Sequence, residues 1–258
     1  MNPSYFIGNL KMNPVSADAV NRYLEGLRED FSEGLPEGVA LLIAAPFVYL
    51  DRFAGALPKG AVLAAQDVFW EREGSYTGEI SPAMLRDLGV QAVLVGHSER
   101  RQYGRETDEE IGRKVAAGLH EGLRPVLCVG ETAEEREAGR ESDVLGTQIG
   151  AALRDVSSAN VSKIIVAYEP RWAIGTDRTP SSEEILSAKI VIRRALGDRF
   201  DAAIADAVPV LYGGSVKASL LDPVCFEAEM DGVLVGRESL HPHEVGKMVR
   251  MLGERNGK

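Results

Sequence analysis

The feature that most constrains the fold of this chain is a series of eight short apolar runs separated by helix-like stretches. The runs are rich in valine, isoleucine, leucine and alanine and are nearly continuous in their apolar character. Such runs are typical of strands that are buried on both faces of a parallel sheet. We predict strands at residues 5–9, 40–44, 61–66, 92–96, 125–129, 164–168, 208–211 and 232–235.

The segments between these runs predict helices, because several of them begin with a capping residue. Ser16 and Thr107 precede amphipathic stretches, and Ser181 is followed by Glu184 in the spacing of a capping box. We predict helices at residues 16–30, 108–120, 133–156 and 181–196.

Alternation of strand and helix in steps of about 30 residues predicts a closed (β/α)8 barrel, whose usual length is about 250 residues. A doubly wound open sheet is the alternative, but no G-x-G-x-x-G motif follows the first strand. No linker or low-complexity tract divides the chain, so we expect residues 1–258 to form one domain.

Composition excludes some partners. The formal net charge of −10 argues against nucleic-acid binding, although a local pocket can still attract an anionic small molecule. We find no targeting signal and no apolar run of membrane-spanning length, so we expect no membrane association. Cys128 and Cys225 lie among apolar neighbours, which favours buried thiols and a cytoplasmic protein.

The sixth predicted strand ends in a carboxylate beneath an apolar loop. Glu169 follows the run 164–168, Pro170 comes next, and Trp172, Ile174 and Gly175 lie in the following segment. A loop of this kind can act as a lid that excludes water from the carboxylate. Burial makes a carboxylate a stronger base than it is in water, so the pattern indicates a general base.

Other polar residues follow the remaining strands, and in a barrel of this type they meet at one rim. Taken singly, each has an ordinary structural interpretation: a surface lysine, a hydrogen-bonded histidine, a strand exit or a tight turn. Their joint placement favours a site, with glycine-bearing loops to bind an anion through backbone amides. The candidates are Asn9, Lys11, His97, Glu99 and Glu169 for catalysis, and Gly175, Ser215, Gly236 and Arg237 for phosphate binding.

These residues lie in motifs through which the chain resembles the triosephosphate isomerases along nearly its whole length. The motifs are GNLKMN at 8–13, GEIS at 78–81, GHSERR at 96–101, CVGE at 128–131, AYEP at 167–170, WAIGT at 172–176 and YGGSV at 212–216.

The resemblance implies a TIM barrel that interconverts dihydroxyacetone phosphate and D-glyceraldehyde 3-phosphate in glycolysis and gluconeogenesis. It implies that Glu169 removes the substrate proton and that a neutral His97 polarises the carbonyl. Lys11 and Asn9 would stabilise the developing negative charge, with Lys11 also near the phosphate and Glu99 in a supporting role. No metal or organic cofactor is implied, and the lid would comprise Pro170, Arg171, Trp172, Ala173, Ile174, Gly175 and Thr176.

The long segment 67–81 has two interpretations. It contains Phe69, Trp70 and Tyr76 and forms either a self-packed surface loop or an interface, which exposed aromatic residues would favour. The resemblance implies a homodimer in which Thr77 reaches the active site of the neighbouring subunit.

The chain departs from the family pattern at Leu10, Arg171, Asp177 and Arg237. Arg237 either binds the phosphate with its guanidinium group or points outward and offers only its backbone amide. The first possibility leaves open an isomerase of four-carbon ketose and aldose phosphates. A barrel that binds phosphates without catalysis is a further alternative, which the joint presence of Lys11, His97 and Glu169 disfavours. An aldolase that forms a Schiff base is disfavoured because the sixth strand ends in Glu169, while Lys163 lies at the opposite end of the barrel.

Overall fold

The computed structural model describes residues 3–174 and 178–256, and within them eight parallel strands close into a barrel. Each strand pairs with the next along the chain, and the last pairs with the first. The strands are β1 (Ser4–Asn9), β2 (Val39–Ala45), β3 (Val62–Ala65), β4 (Ala92–Val95), β5 (Arg124–Val129), β6 (Ile165–Tyr168), β7 (Val210–Gly214) and β8 (Gly232–Val235). The predicted barrel is therefore confirmed.

Helices surround the barrel in the described part of the chain. They are α1 (Ala17–Asp30), α2 (Leu50–Phe53), α3 (Pro82–Asp87), α4 (Ser98–Tyr103), α5 (Asp108–His120), α6 (Ala133–Glu137), α7 (Glu141–Ala152), α8 (Ser158–Val161), α9 (Ser182–Arg199), α10 (Ala202–Ala207) and α11 (Pro242–Asn256). Short 3-10 turns lie at Phe47–Tyr49, Ala218–Leu220 and Arg237–Leu240, and a π-helical turn lies at Asp222–Glu227.

Two sequence predictions need correction. The helix predicted at 133–156 is two helices, α6 and α7, because Gly139 between them has a left-handed φ of 64° that a helix cannot contain. The strand predicted at 208–211 lies further along the chain, at Val210–Gly214. Gly213 and Gly214, which resemble a turn in sequence, extend the ladder and pair with Leu234 and Val235.

Side chains alternate between two layers of the core. In β1, Tyr5 and Ile7 point into the barrel, where they pack against inward residues of the other strands, while Phe6 packs outside against the helices. This period of two continues to the strand ends. Asn9 follows Ile7 in the inward series, and Glu169 follows Ala167 in the inward series of β6. The barrel therefore directs these two side chains towards its axis.

Closure of the barrel depends on a glycine at the start of β8. Gly232 has a φ of 148°, and a Cβ atom there would lie 2.0 Å from the carbonyl oxygen of Tyr5. The β1–β8 pairing therefore requires the absence of a side chain at this position. Within residues 3–174 and 178–256, no helix is long and apolar enough to cross a bilayer. Both cysteines are buried free thiols, as predicted.

Candidate active site

A cavity of about 810 Å³ lies at the end of the barrel to which the carboxyl ends of the strands point. Residues that follow different strands line it together: Asn9, Lys11, His97, Glu99, Glu169, Ser215, Gly236 and Arg237. The structure thus brings together the predicted catalytic and phosphate-binding residues that lie among the described ones, whereas Thr77, Pro170, Trp172 and Ala173 do not line this cavity. Gly175 and Thr176 of the predicted lid, with Asp177, lie outside the described residues.

The Glu169 carboxylate is buried and bound by two groups from the end of β4. Its Oε1 lies 3.1 Å from Nε2 of His97, and its Oε2 accepts a hydrogen bond of 3.0 Å from the backbone N–H of Ser98. Burial by itself would raise the pKa of the Glu169 carboxyl. The charge of His97 and these hydrogen bonds outweigh burial, and the net pKa lies below the ordinary value for glutamate.

His97 caps helix α4 through its imidazole ring. Nδ1 accepts a hydrogen bond of 3.2 Å from the backbone N–H of Glu99, so the neutral ring carries its proton on Nε2, facing Glu169. Burial lowers the pKa of His97, but the facing Glu169 carboxylate raises it further, and the net pKa lies above the ordinary value. The charge state of His97 therefore depends on where the Glu169 carboxylate lies.

Lys11 is held in an unusual backbone conformation by its neighbours. Its φ of 52° is left-handed, which is uncommon for a residue with a side chain. Its N–H donates to Oδ1 of Asn9 at 3.0 Å, and its carbonyl accepts a hydrogen bond of 2.8 Å from Gln66 Nε2. The Nζ atom pairs with Glu99 Oε1 at 2.6 Å. The strained turn thus places a cation inside the cavity next to His97.

The phosphate candidates line one side of the cavity. The Ser215 hydroxyl lies 3.5 Å from the carbonyl oxygen of Ala173, at the limit of a hydrogen bond. Gly236 lacks a side chain where Lys11 approaches, since a Cβ there would lie 3.1 Å from Cε of Lys11. Arg237 and Lys217 are both exposed at this side, and neither has an ion-pair partner among the described residues. Two cations therefore face the cavity mouth in an acidic protein.

The described part of the predicted lid is anchored by Glu131, which is not among the candidate residues predicted from the sequence. The Glu131 carboxylate is fully buried, and its Oε1 accepts hydrogen bonds from Tyr168 at 3.0 Å and from the indole N–H of Trp172 at 2.8 Å. The Arg171 N–H donates to the Glu131 carbonyl at 3.0 Å. Leu10, another departure from the family pattern, is fully buried in the apolar core.

Sequence reasoning also missed Gln66, Ser98, Gly130 and Gly213. A Cβ atom at Gly130 would lie 1.8 Å from the carbonyl oxygen of Glu169, and one at Gly213 would lie 2.8 Å from Cγ of Glu169. Only contacts in the folded structure identify these residues, because each lies far along the chain from the site residue that it contacts. Ser98, Gly130 and Gly213 lie within the motifs GHSERR, CVGE and YGGSV, whereas Gln66 lies in none of the motifs.

The segment 67–81 is self-packed in part, as the first of its two predicted interpretations requires. Phe69 is buried, so the expectation of exposed aromatic residues is wrong there; its ring lies 4.1 Å from that of Trp70 and 4.7 Å from that of Tyr76. Arg113 stacks on Trp70 at 4.1 Å. Tyr76 and Thr77 remain exposed at the tip. The segment is self-packed at its base and open to solvent at its end.

Within residues 3–174 and 178–256, no group of His, Cys, Asp or Glu side chains is arranged to hold a metal ion. The chemistry that the described groups can supply is proton transfer. Fold and site together define a (β/α)8-barrel enzyme with a buried carboxylate, an imidazole and an amine at the carboxyl ends of its strands.

Comparison with known proteins gives the family. The sequence model described as triosephosphate isomerase matches residues 4–252. Triosephosphate isomerase of Alkaliphilus oremlandii is 42% identical over 238 residues, covering 92% of this chain and 94% of the relative. The enzyme of the same name from Delftia acidovorans is 44% identical over 242 residues, covering 93% and 95%. The chain belongs to the triosephosphate isomerase family.

Proposed function

We propose that this protein interconverts dihydroxyacetone phosphate and D-glyceraldehyde 3-phosphate by proton transfer through an enediolate. The observation that carries the proposal is the convergence of Lys11, His97 and Glu169 in one cavity at the carboxyl ends of β1, β4 and β6. Membership of the triosephosphate isomerase family supports the same reaction.

Glu169 acts as the base. Its carboxylate takes the proton from the carbon that bears the hydroxyl group, while the electron pair of that C–H bond forms the enediolate. The same carboxyl then returns the proton to the neighbouring carbon, while His97 transfers a proton from the hydroxyl oxygen to the former carbonyl oxygen, which gives the other isomer. To reach the substrate the side chain leaves Ser98, and Gly213 provides the space because it has no Cβ.

His97 donates its Nε2 proton towards the carbonyl oxygen, and Lys11 and Asn9 stabilise the negative charge that develops there. In the resting site burial lowers the pKa of His97, the Glu169 carboxylate raises it, and Lys11 and Glu99 have smaller opposing effects. Once Glu169 turns to the substrate, burial is the largest remaining influence on the His97 pKa and favours the neutral imidazole. Glu99 positions Lys11 through the ion pair of 2.6 Å.

Ser215, Gly236 and Gly175 bind the substrate phosphate, with the charge of Lys11 nearby. Arg237 lines the same cavity and has no ion-pair partner in the described part of the chain, which favours its contact with the phosphate over a purely outward role. Residues 170–176 form the lid over the site.

The deciding experiment is a coupled assay of the purified protein with D-glyceraldehyde 3-phosphate, run in parallel with a four-carbon aldose phosphate. We expect turnover of the triose phosphate and a large preference for it in kcat/KM. A preference for the tetrose, or no proton exchange with solvent at the substrate carbon, would contradict the proposal.

The pH profile of a His97→Gln variant tests the resting geometry. His97 is a major cause of the lowered pKa of Glu169, whereas burial raises it. Removing the imidazole should therefore raise the Glu169 pKa. Since the base must be ionised, the acid limb of kcat/KM should move to higher pH. The ratio of variant to wild-type kcat/KM, measured with one substrate from pH 4 to pH 8, cancels the titration of the substrate phosphate. A ratio that does not fall towards acid pH would count against the pairing.

We also propose a homodimer in which the tip of segment 67–81, including Thr77, reaches the site of the neighbouring subunit. Large exposed apolar residues follow β1, β2 and β4, namely Met12, Val48 and Tyr103, and Tyr76 is exposed at the tip. Large apolar side chains exposed beyond three of the strands favour a protein interface.

Sedimentation velocity tests the dimer. We expect a mass of twice 27.9 kDa at micromolar concentration. A Thr77→Arg variant should shift the protein towards the monomer and reduce kcat/KM, because a bulky charge would enter the interface. A wild-type monomer at micromolar concentration would overturn this part of the proposal.

We further propose that the barrel forms one domain, that it works without a metal or organic cofactor, and that it serves glycolysis and gluconeogenesis in the cytoplasm. Two buried free thiols are compatible with a reducing compartment. The β1–β8 pairing, which joins both ends of the chain in one sheet, supports a single cooperative unit.

A further inference from the structure

The segment that carries Glu169 is fixed on both sides by one buried oxygen atom. Oε1 of Glu131 accepts from Tyr168, the residue before Glu169, and from Trp172, three positions after it. Glu131 follows the neighbouring strand, β5, and its side chain is 0% exposed. The position of the proposed base therefore depends on a carboxylate that the base does not touch.

A buried carboxylate requires a compensating charge, and Arg136 of helix α6 supplies it. Nη1 of Arg136 lies 3.2 Å from Oε1 of Glu131, and within the described residues this is the one ion pair that Glu131 makes. Removing one partner of a buried ion pair is strongly destabilising, because it leaves the other charge buried without compensation.

Arg136 makes two further contacts that hold it in place. Its guanidinium carbon lies 4.7 Å from the ring centre of Trp172, within the range of a cation–π contact. Its Nη2 pairs at 2.5 Å with Glu184, which closes the capping box at the start of α9. The planar fork of arginine can make all three contacts at once, and lysine cannot.

From this geometry we propose that Arg136 is a positioning residue for catalysis: it holds the buried Glu131 side chain and the Trp172 ring in place, and thereby fixes the segment that carries Glu169. This inference rests on the proposed role of Glu169 as the base. Arg136 itself lies outside the cavity that holds the candidate catalytic residues.

A double-variant cycle tests the proposal. We expect Arg136→Met to lower kcat/KM by about 10- to 100-fold, mainly through kcat, because small displacements of a base have effects of this size. Arg136→Lys, which keeps the charge but not the fork, should lose less. In a Glu131→Gln background, Arg136→Met should cost less than about threefold, since the carboxylate that Arg136 serves is then absent. Full additivity of the two changes, or wild-type kcat/KM in Arg136→Met, would overturn the proposal.

Arg250→Met provides the matched control, because Arg250 forms an exposed ion pair with Asp30 at 3.1 Å, away from the cavity. It should leave kcat/KM unchanged. A second readout does not depend on turnover. The chain has two tryptophans, so in a Trp70→Phe background the emission reports Trp172 alone. Arg136→Met should shift that emission and Arg250→Met should not; an unchanged spectrum would contradict the proposal.

The two hypotheses can fail separately. If the wild-type protein does not turn over the triose phosphate, the proposed function fails while the emission shift still reports on Arg136. If the wild type is active and Arg136→Met matches it in both readouts, only the positioning role of Arg136 fails.

Discussion

A Glu169→Gln variant should lose at least 10²–10⁴-fold in kcat while keeping its fold, about the range that a positioned general base contributes. The amide has the same shape as the carboxylate but cannot accept the substrate proton. It can still accept one hydrogen bond, from Ser98 or from His97, whose donors the carboxylate engages at 3.0 Å and 3.1 Å. The measurement is kcat in the coupled assay, with circular dichroism to verify the fold.

Glu238→Gln is a suitable control, since it makes the same chemical change in the same cavity lining, outside the proposed machinery. It should retain nearly all of the activity. Near-full activity in Glu169→Gln would show that another group is the base, and Glu99, which also lines the cavity, would be the next residue to replace.

The second large effect is expected for Gly130→Ala, which adds a single methyl group. The new Cβ would lie 1.8 Å from the carbonyl oxygen of Glu169 and 2.5 Å from its carbonyl carbon, so one of the two backbones must move. Gly130 is held by Gln148, which exchanges two hydrogen bonds with its backbone, so it cannot shift freely. We expect a loss of about 3 kcal/mol or more in the free energy of unfolding, at the upper end of overpacking effects. Activity should fall as well, because the displaced backbone carries Glu169.

The matched control is Gly146→Ala, which makes the same change inside helix α7, where no atom beyond its chain neighbours and the helix's own backbone lies within 4 Å of the added Cβ. It should stabilise the protein by about 0.5–1 kcal/mol, because alanine is the better helix former. Urea unfolding of both variants measures the difference. A Gly130→Ala protein as stable as Gly146→Ala would show that the contact with Glu169 can relax.

The sequence predicts the barrel well because its strands are buried on both faces. Apolar runs such as 164–168 have no polar alternation, and this property follows from the parallel sheet itself. The predictions fail where a glycine has an unexpected role. Gly139 interrupts a continuous amphipathic pattern with a left-handed φ, and Gly213 continues a strand although glycine pairs usually indicate turns. The local sequence does not distinguish these two outcomes.

The candidate site is predictable in part, for a related reason. Lys11, His97 and Glu169 each follow a strand, and the parallel barrel brings all such positions to one rim. Residues that act through contacts across the fold give no such signal. Glu131 and Arg136 lie within five positions of each other on the chain, yet their relation to Trp172 arises only when β5 and β6 pair. The sequence alone also leaves open whether Arg237 faces the cavity or points outward, and the structure places Arg237 in the cavity lining.

The hydrogen bond between Ser98 and Glu169 gives the site a way to return to its starting state. In the proposed mechanism Glu169 moves to the substrate, so the buried N–H of Ser98 loses its acceptor, and an unpaired buried donor costs about 1–3 kcal/mol. The bound substrate must supply that energy. After product departs, the unpaired N–H of Ser98 favours return of the Glu169 carboxylate to the first turn of α4. In this mechanism the N-terminus of α4 restores the hydrogen bond to Glu169 after each turnover, so the empty site returns to one resting arrangement.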